Sequence, residues 1–190
     1  VPCFVADANS LTAAGYVGKD VESLVDGLVE AAQGNYDAAG TGIIFIDEFD
    51  KIAKRKIPGK NRDVGGEAVQ QALLKIIEGT KVDIEKSNGF SKIKMTIDTA
   101  NILVIVGGAF DDLEELISKR LKVGPTTTLG FGADLNSSTD GMGLLHHVTP
   151  EDLEEFGFIP EILGRIPLIA TLDELSINDL VNILTKVDDN

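Results

Sequence analysis

Asp47 and Glu48 are adjacent carboxylates that close the apolar run Ile-Ile-Phe-Ile, which begins after Gly42. A continuous apolar run of this kind is typical of a strand buried on both faces, as in a parallel sheet. Such a strand carries its last residues to the carboxyl edge of the sheet, where open α/β folds bind ligands. Carboxylates there could hold Mg²⁺ and activate a water molecule. The alternative is a strand that ends in a solvated acidic turn, and this run alone does not decide between the two.

A strand followed by Asp-Glu has the form of a Walker B motif, in which the aspartate orients Mg²⁺ and the glutamate polarises the attacking water. This interpretation assigns Asp47 to the metal, through a water molecule, and Glu48 to general-base catalysis. One arginine, Arg165, stands just before another apolar run at 166–171. An arginine in this place could reach the γ-phosphate of a nucleotide on a neighbouring subunit. The alternative for Arg165 is a surface ion pair.

Two glycine-rich loops carry apolar residues that have no evident place in a core. The loop at 15–18 reads Gly-Tyr-Val-Gly, and its two glycines give flexibility to an apolar tip. A turn whose tyrosine folds back onto the core would have the same sequence. The loop at 128–132 reads Thr-Leu-Gly-Phe-Gly, with no helix or strand pattern around it that would bury the leucine and the phenylalanine.

Charge is distributed unevenly along the chain. The net charge of −14 argues against a general role in binding the nucleic-acid backbone. Basic residues are nevertheless concentrated between positions 51 and 62, in a run that contains no acid. This run is either a solvated loop or a surface that faces a polyanion or an acidic peptide. Its members are Lys51, Lys54, Arg55, Lys56, Lys60 and Arg62.

Length and composition describe an ordinary globular domain. A chain of 190 residues with a mean hydropathy of +0.10 predicts a single domain, 1–190. No apolar run approaches the roughly 20 residues that cross a membrane, and the first residues lack the pattern of a signal peptide. The single cysteine, Cys3, excludes an internal disulfide, fits a reducing compartment and is expected to be a small buried residue of the first strand.

Alternating strand and helix patterns predict an α/β fold with a mostly parallel sheet and helices on both faces. Strands are predicted at 2–6, 42–47, 102–106 and 166–171, and a β-hairpin is predicted at 80–97 around Ser-Asn-Gly. Helices are predicted behind Asp20 up to Gly34, at 66–78, at 111–121, from Thr149 and from Ser176, with a long loop at 122–143.

Together these segments resemble the ClpX family of AAA+ protein unfoldases, which feed polypeptides to a ClpP peptidase. The resemblance covers nearly the whole chain, and HslU-type unfoldases, which share Gly-Tyr-Val-Gly, are the alternative relatives. It is carried by Ala-Gly-Tyr-Val-Gly-Lys-Asp (14–20), Gly-Ile-Ile-Phe-Ile-Asp-Glu-Phe-Asp-Lys-Ile (42–52), Arg-Asp-Val-Gly-Gly-Glu-Ala-Val-Gln-Gln-Ala-Leu-Leu-Lys-Ile-Ile-Glu-Gly-Thr (62–80), Ile-Leu-Val-Ile-Val-Gly-Gly-Ala-Phe (102–110) and Phe-Ile-Pro-Glu-Ile-Leu-Gly-Arg-Ile-Pro-Leu-Ile-Ala-Thr-Leu-Asp-Glu-Leu-Ser (158–176).

The resemblance implies a hexameric ring that uses ATP and Mg²⁺ to translocate unfolded or tagged proteins into a ClpP-type peptidase. It implies the bacterial cytoplasm, or alternatively an organelle matrix, and it implies neither a nucleic-acid nor a membrane partner. Residues at matching positions would take the family's roles: Tyr16 and Val17 in the first pore loop, Arg62, Asp63 and Val64 in the second, Asp47 and Glu48 in Walker B, Arg165 as the arginine finger, and Leu129, Gly130 and Phe131 in peptidase docking.

Departures from the family pattern set further expectations. The P-loop, G-x-x-x-x-G-K-[ST], does not occur in these 190 residues, and neither does a cysteine-rich zinc module. We therefore expect a partial large AAA+ subdomain, without the small C-terminal subdomain, that is inactive alone. In the family the P-loop strand is central and lies between the strands that match 102–106 and 166–171. Without it we expect a gap in the sheet, which would be filled by direct pairing of those two strands, by a swapped neighbour or by further residues. The hairpin lacks the Arg-Lys-His segment that is common in ClpX and helps to recruit tagged substrates. The sequence therefore leaves open which degradation tags the protein prefers.

Two further functions remain as alternatives. A non-catalytic interaction module would keep the Leu-Gly-Phe loop and the ring-forming faces but would bind no nucleotide. An AAA+ remodeller of nucleic acids would carry basic residues in its pore loop, and both the apolar loop at 15–18 and the net charge of −14 disfavour it.

Overall fold

The computed structural model describes residues 1–12, 19–54, 64–88, 91–121, 143–173 and 175–186. Its strands are β1 (Cys3–Asp7), β2 (Leu11–Thr12), β3 (Lys19–Asp20), β4 (Ile43–Asp47), β5 (Lys81–Asn88), β6 (Ser91–Asp98) and β7 (Leu103–Val106). Its α-helices are α1 (Ser23–Ala31), α2 (Tyr36–Ala39), α3 (Val64–Ile77), α4 (Leu113–Leu121), α5 (Pro150–Phe156), α6 (Pro160–Arg165) and α7 (Ile177–Lys186). Short 3₁₀ helices occupy Ala8–Ser10, Phe49–Ile52, Thr99–Asn101 and Leu144–His147.

The main sheet is parallel and has the order β1-β4-β7. Asp7 pairs with Asp47 in the β1–β4 register, and Ile46 pairs with Val106 in the β4–β7 register. The three strands therefore end together, and the residues that follow them meet at one carboxyl edge. The α/β class and the predicted strands at 2–6, 42–47 and 102–106 are confirmed.

One face of this sheet is covered and the other is open among the described residues. Ile44 and Ile46 are fully buried on the covered face, against which α1 packs. On the opposite face Val5 is 62% exposed, Leu103 54% and Ile105 41%. The prediction of helices on both faces thus holds for one face in the part of the chain that is described. Cys3 shares the open face with Val5 and is exposed, so its predicted burial is wrong because strand residues alternate between faces.

Helix starts follow the predicted chemistry in two of three cases. Thr149 and Asp152 form a capping box at α5, and Ser176 and Asp179 exchange the equivalent hydrogen bonds at α7. The prediction that Asp20 caps α1 is wrong, because Asp20 belongs to β3, which pairs with β2, and α1 begins at Ser23. The end of that region is as predicted, since Gly34 adopts φ +81°.

Residues 166–171 do not form the predicted last strand; they have no regular secondary structure. A strand needs a neighbour for its backbone hydrogen bonds, and none of the three strands of the main sheet pairs with this segment. Leu168 is 89% exposed and Ile169 42%, so these residues lie outside the described core, against which only the first residue of the run, Ile166, packs. Direct pairing of 102–106 with 166–171, one of the three expected ways to fill the gap, is therefore not observed.

The predicted hairpin is confirmed by antiparallel β5 and β6, in which Val82 pairs with Ile97 and Ile84 with Met95. Its turn and the long loop at 122–143, up to residue 142, lie outside the described residues. Among the helices that the structure describes, none is both long and apolar enough to cross a membrane.

An ion pair joins α4 to α5. Arg120 donates from Nε to Asp152 Oδ1 (2.7 Å) and from Nη2 to Asp152 Oδ2 (2.9 Å), and its Nη2 also reaches the carbonyl of His147 at 2.6 Å. The Asp152 side chain is almost fully buried. The hydrogen bonds from Arg120, aided by those at Thr149, hold the pKa of Asp152 below its ordinary value.

Asp152→Asn is expected to lower the melting temperature at neutral pH, because the amide cannot keep the charge-assisted pair with Arg120. The pKa of Asp152 is depressed in the folded protein, so the pair's contribution is complete above the unfolded pKa of about 4. That contribution is lost as the pH falls through the lower folded pKa. Thermal unfolding of both proteins between pH 7 and pH 3 should therefore show curves that converge toward acid; a constant gap would contradict this account.

Candidate functional site

The turn after β4 presents two carboxylates at the carboxyl edge of the sheet. Asp47 is the last residue of β4, and Glu48 follows in a left-handed conformation with φ +53°. A left-handed backbone at a non-glycine residue costs of order 1 kcal/mol and persists where the surroundings enforce it. Phe110 and Asp112, in the loop after β7, are also left-handed. Backbone strain is therefore concentrated at the edge where β4 and β7 end.

Hydrogen bonds orient both carboxylates. The Glu48 N–H donates to Asp47 Oδ1 at 2.8 Å, and Asn9 donates from Nδ2 to Glu48 Oε2. Asn9 is itself placed by its backbone N–H, which donates to Asp7 Oδ1 at 2.7 Å, where Asp7 caps the 3₁₀ helix Ala8–Ser10. The ends of β1 and β4 are thus joined through Asn9, and both Asp47 and Glu48 face solvent.

The donor set around Asp47 suits a magnesium ion that is shared with a phosphate. Among the described residues, Asp47 Oδ2 accepts no hydrogen bond, and no cluster of three or more metal-ligating side chains occurs. Mg²⁺ commonly keeps several waters and takes one or two carboxylates together with phosphate oxygens, so a single exposed aspartate is a sufficient protein contribution. A metal centre built entirely from protein ligands does not fit this part of the chain.

A buried charge lies directly behind the site. Asp50, in the 3₁₀ helix Phe49–Ile52, has no exposed surface, and Lys51 Nζ lies 2.8 Å from its Oδ2. Neither Asp50 oxygen meets hydrogen-bond geometry with a described donor, so charge compensation rests on the short distance to Lys51. Lys51 also reaches Asp111 at 3.6 Å in the loop after β7. A Cβ on Gly108 would lie 2.4 Å from Asp50 Oδ1, so only glycine fits there.

Lys51→Met is expected to lower the free energy of unfolding by about 2 kcal/mol, less than the several kcal/mol for a fully buried pair because Lys51 is partly exposed. The loss arises because the Asp50 carboxylate stays buried without a counter-charge. Denaturant unfolding measures it, with Lys119→Met as the control. Lys119 pairs with Glu115 on the surface of α4, and its removal should change stability too little to measure. Equal effects for the two variants would contradict this reading of Lys51.

An aromatic cluster anchors the residue after Glu48. Phe49 stacks on Phe158 with ring centroids 5.2 Å apart. The ring centroids of Phe110, Phe156 and Phe158 lie 5.7 to 6.0 Å from one another and complete the cluster. The Phe49 N–H donates to the carbonyl of Gly107 at 2.8 Å. The turn that carries Glu48 is therefore fixed from one side by the loop after β7 and from the other by the segment between α5 and α6.

Arg165 lies apart from this turn, at the last position of α6. Its Nε and Nη2 both lie 3.0 Å from Oε1 of Glu78, just beyond the end of α3. The two side chains are 57% and 45% exposed, so this is the surface ion pair considered as the alternative. An exposed pair of this kind is worth little and can open. The structure records no contact between Arg165 and Asp47 or Glu48.

The remaining predicted site residues fall outside the described residues or at their margin. Tyr16 and Val17 lie outside them, as do Arg62 and Asp63. Val64 is described as the first residue of α3. Leu129, Gly130 and Phe131 also lie outside the described residues. These assignments stay predictions.

Sequence reasoning missed Asn9 and Asp50. Both follow a strand end by two or three residues, and their importance depends on which strands are neighbours, which the sequence does not state. A signal for Asp50 was present: it is a charged residue between Phe49 and Ile52, both of which are buried.

The chain is similar to proteins of a known family. A sequence profile of the AAA domain (Cdc48 subfamily) matches residues 1–169. Curated relatives named "ATP-dependent Clp protease ATP-binding subunit ClpX" are 48% identical in Azotobacter vinelandii, 45% in Treponema denticola and 43% in Bacteroides fragilis. Each alignment covers 98% of this chain but only 43%, 46% and 45% of the respective relative. The chain thus spans a little under half the length of these relatives.

Proposed function

The chain belongs to the AAA domain family, and from that premise we propose that it is part of an ATP-driven protein unfoldase of the ClpX type. The observation that carries the proposal is the pair Asp47–Glu48 at the carboxyl edge of a parallel sheet, with Glu48 oriented by Asn9. The similarity of the chain to relatives named as ATP-binding subunits of a Clp protease supports the same function. In this proposal, 1–190 is one domain, part of a large AAA+ subdomain in a longer protein.

Asp47 and Glu48 have different parts in the proposed hydrolysis. Asp47 would bind Mg²⁺ through a water molecule, and the ion would supply charge neutralisation at the phosphates. Glu48 would accept the proton of the attacking water, and its Oε2 is held by Asn9, which leaves Oε1 for that water.

Arg165 would act on the nucleotide of a neighbouring subunit in a hexameric ring. Its position at the end of α6, paired with an exposed glutamate, leaves the guanidinium accessible to a phosphate from another chain. Tyr16, Val17, Arg62, Asp63 and Val64 would line the axial pore and grip the substrate polypeptide. Leu129, Gly130 and Phe131 would dock on a ClpP-type peptidase, since the sequence around them has no helix or strand pattern that would bury their apolar side chains and such side chains favour a protein partner. The proposed location is the bacterial cytoplasm.

The test uses the full-length protein and a tagged fluorescent protein as substrate. We expect fluorescence to fall only when ATP is present, and the substrate to be degraded only when a ClpP-type peptidase is added as well. Phe131→Ala should keep the ATP-dependent loss of fluorescence but lower degradation at least about tenfold, as for loss of a docking hot spot. Leu121→Ala, at the end of α4, is the control apolar truncation.

One outcome would contradict the unfoldase and a second would contradict only the docking assignment. Fluorescence that stays constant with ATP would contradict an unfoldase and, if Phe131→Ala still abolished peptidase binding, would favour the non-catalytic interaction module. Degradation that is unchanged in Phe131→Ala would remove the Leu-Gly-Phe loop from peptidase docking while leaving the unfoldase intact.

A further inference from the structure

Gln70 is a fully buried polar side chain in the middle of α3. Its Nε2 donates to the carbonyl of Ile52 at 2.8 Å and to that of Gly157 at 3.3 Å. Its Oε1 accepts from the N–H of Ile159 at 2.9 Å. All three partners are backbone groups, and the two elements that supply them lie 18 residues before and 87 to 89 residues after Gln70 in the chain.

These partners belong to two elements of the proposed nucleotide site. Ile52 ends the 3₁₀ helix that starts directly after Glu48. Gly157 and Ile159 flank Phe158, which stacks on Phe49, and Ile159 immediately precedes α6, whose last residue is Arg165. The buried Gln70 side chain therefore joins the turn of the general base and the base of the arginine helix to α3, in addition to the more exposed ion pairs of Lys54 with Glu67 and of Arg165 with Glu78.

The backbone segments that meet around Gln70 approach one another so closely that two positions, 66 and 157, have no space for a side chain. Gly66 lies one turn before Gln70, and a Cβ there would be 2.6 Å from the same Ile52 carbonyl oxygen. Gly157 has φ +130°, and a Cβ on it would be 2.6 Å from the carbonyl oxygen of Lys54. The Lys54 N–H also donates to the Gly157 carbonyl at 2.9 Å. Contacts of this kind transmit a displacement of one element to the next because there is no space to absorb it.

We propose that Gln70 is a positioning residue that makes α3, the turn after Glu48 and the base of α6 move as one body. This inference rests on the proposed function, in which Val64 at the start of α3 belongs to a pore loop. A substrate that pulls on the start of α3 would then displace the general base of its own subunit and the arginine offered to the next one. Hydrolysis would respond to the polypeptide in the pore through the contacts that the Gln70 amide fixes.

The chemistry of an amide explains why this position is not apolar. An apolar side chain could fill the same volume, but it would fix the relative orientation of the three elements less tightly, since dispersion contacts have no preferred direction. Three hydrogen bonds fix three elements in one arrangement. The two short ones, to the Ile52 carbonyl and from the Ile159 N–H, are buried, where a hydrogen bond is electrostatically stronger than in water. An apolar replacement would also leave the Ile159 N–H and the Ile52 carbonyl without the partner that the amide supplies.

The experiment compares Gln70→Met, Gln70→Asn and Gln71→Met in the full-length protein. Methionine keeps the volume without the hydrogen bonds, asparagine keeps the amide on a side chain one methylene shorter, and Gln71 is the exposed neighbour on the same helix. The readouts are kcat and KM for ATP, each with and without an unfolded polypeptide, and hexamer assembly.

For Gln70→Met we expect an assembled ring whose kcat falls about tenfold, as for a reacting group misplaced by less than 1 Å. KM for ATP should stay within about twofold, because positioning acts on the transition state. The stimulation of hydrolysis by unfolded polypeptide should disappear. Gln70→Asn should show the same pattern more weakly, and Gln71→Met should match the wild-type protein.

The inference would be overturned by an assembled Gln70→Met ring with wild-type kcat and wild-type stimulation, even if its melting temperature fell. If Gln70→Met does not assemble, Gln70→Asn decides by the same criteria. A wild-type protein without ATP hydrolysis would contradict the proposed function, whereas an active wild-type protein with unaffected variants would contradict only the role of Gln70.

Discussion

Glu48→Gln is expected to slow ATP hydrolysis by the full-length protein at least about 100-fold, the lower range for removal of a general base. Glutamine has nearly the same size and can still face Asn9, so the turn after β4 should keep its geometry. It cannot take the proton of the attacking water. Because Asp47 is untouched, we expect ATP to bind with an affinity close to that of the wild-type protein.

Steady-state hydrolysis and binding of a fluorescent ATP analogue measure the two parts of this prediction. Glu154→Gln on the exposed side of α5 is the matched control, because it makes the same chemical change away from the carboxyl edge. Hydrolysis within about threefold of wild type would be incompatible with a general base at Glu48. Loss of binding together with hydrolysis would instead point to a damaged fold.

Arg165→Ala is expected to slow hydrolysis by about 1,000-fold, within the range reported for arginine fingers. The guanidinium is the group that would meet the phosphates of the neighbouring subunit. Among the described residues it pairs with Glu78, in an exposed pair that contributes little to stability. The variant should therefore fold and assemble like the wild-type protein.

Two companion variants separate the finger from the ion pair. Arg165→Lys keeps the charge but loses the planar fork, so we expect it to retain only a small part of the activity. Glu78→Gln breaks the pair and leaves the guanidinium in place, so we expect a change of less than about threefold. If Glu78→Gln were as damaging as Arg165→Ala, the arginine would act through its pairing with α3 and not on a phosphate.

Local patterns predicted much of the fold. The apolar run before Asp47 gave β4 to within one residue, and Thr149-Pro150 gave the start of α5, because both signals are contained in a few consecutive residues. The strand prediction at 42–47 is correct and the one at 166–171 is wrong, although both rest on apolar composition. Apolar composition indicates a strand, but a strand also needs a partner, and only 42–47 has one. The predicted burial of Cys3 is wrong because the face of a strand that is covered depends on which elements pack against it.

The site was only partly predictable. Asp47 and Glu48 stand out because two acids end a buried strand. Asn9 could not be found, since its contact with Glu48 depends on the β1–β4 register. The sequence does carry a signal for Gln70, which lies three residues before Leu73 and four after Gly66, on the buried face of α3. An amide at a core position of an amphipathic helix indicates that it has specific partners.

The most direct test of a shared ATP site mixes two inactive variants. Glu48→Gln supplies Arg165 without a base, and Arg165→Ala supplies the base without an arginine. If the two residues act across a subunit interface, rings assembled from equal amounts should contain intact sites at about a quarter of their interfaces. The account predicts that the mixture hydrolyses ATP well above either variant alone. A mixture that stays at the level of the single variants would contradict a site shared between subunits.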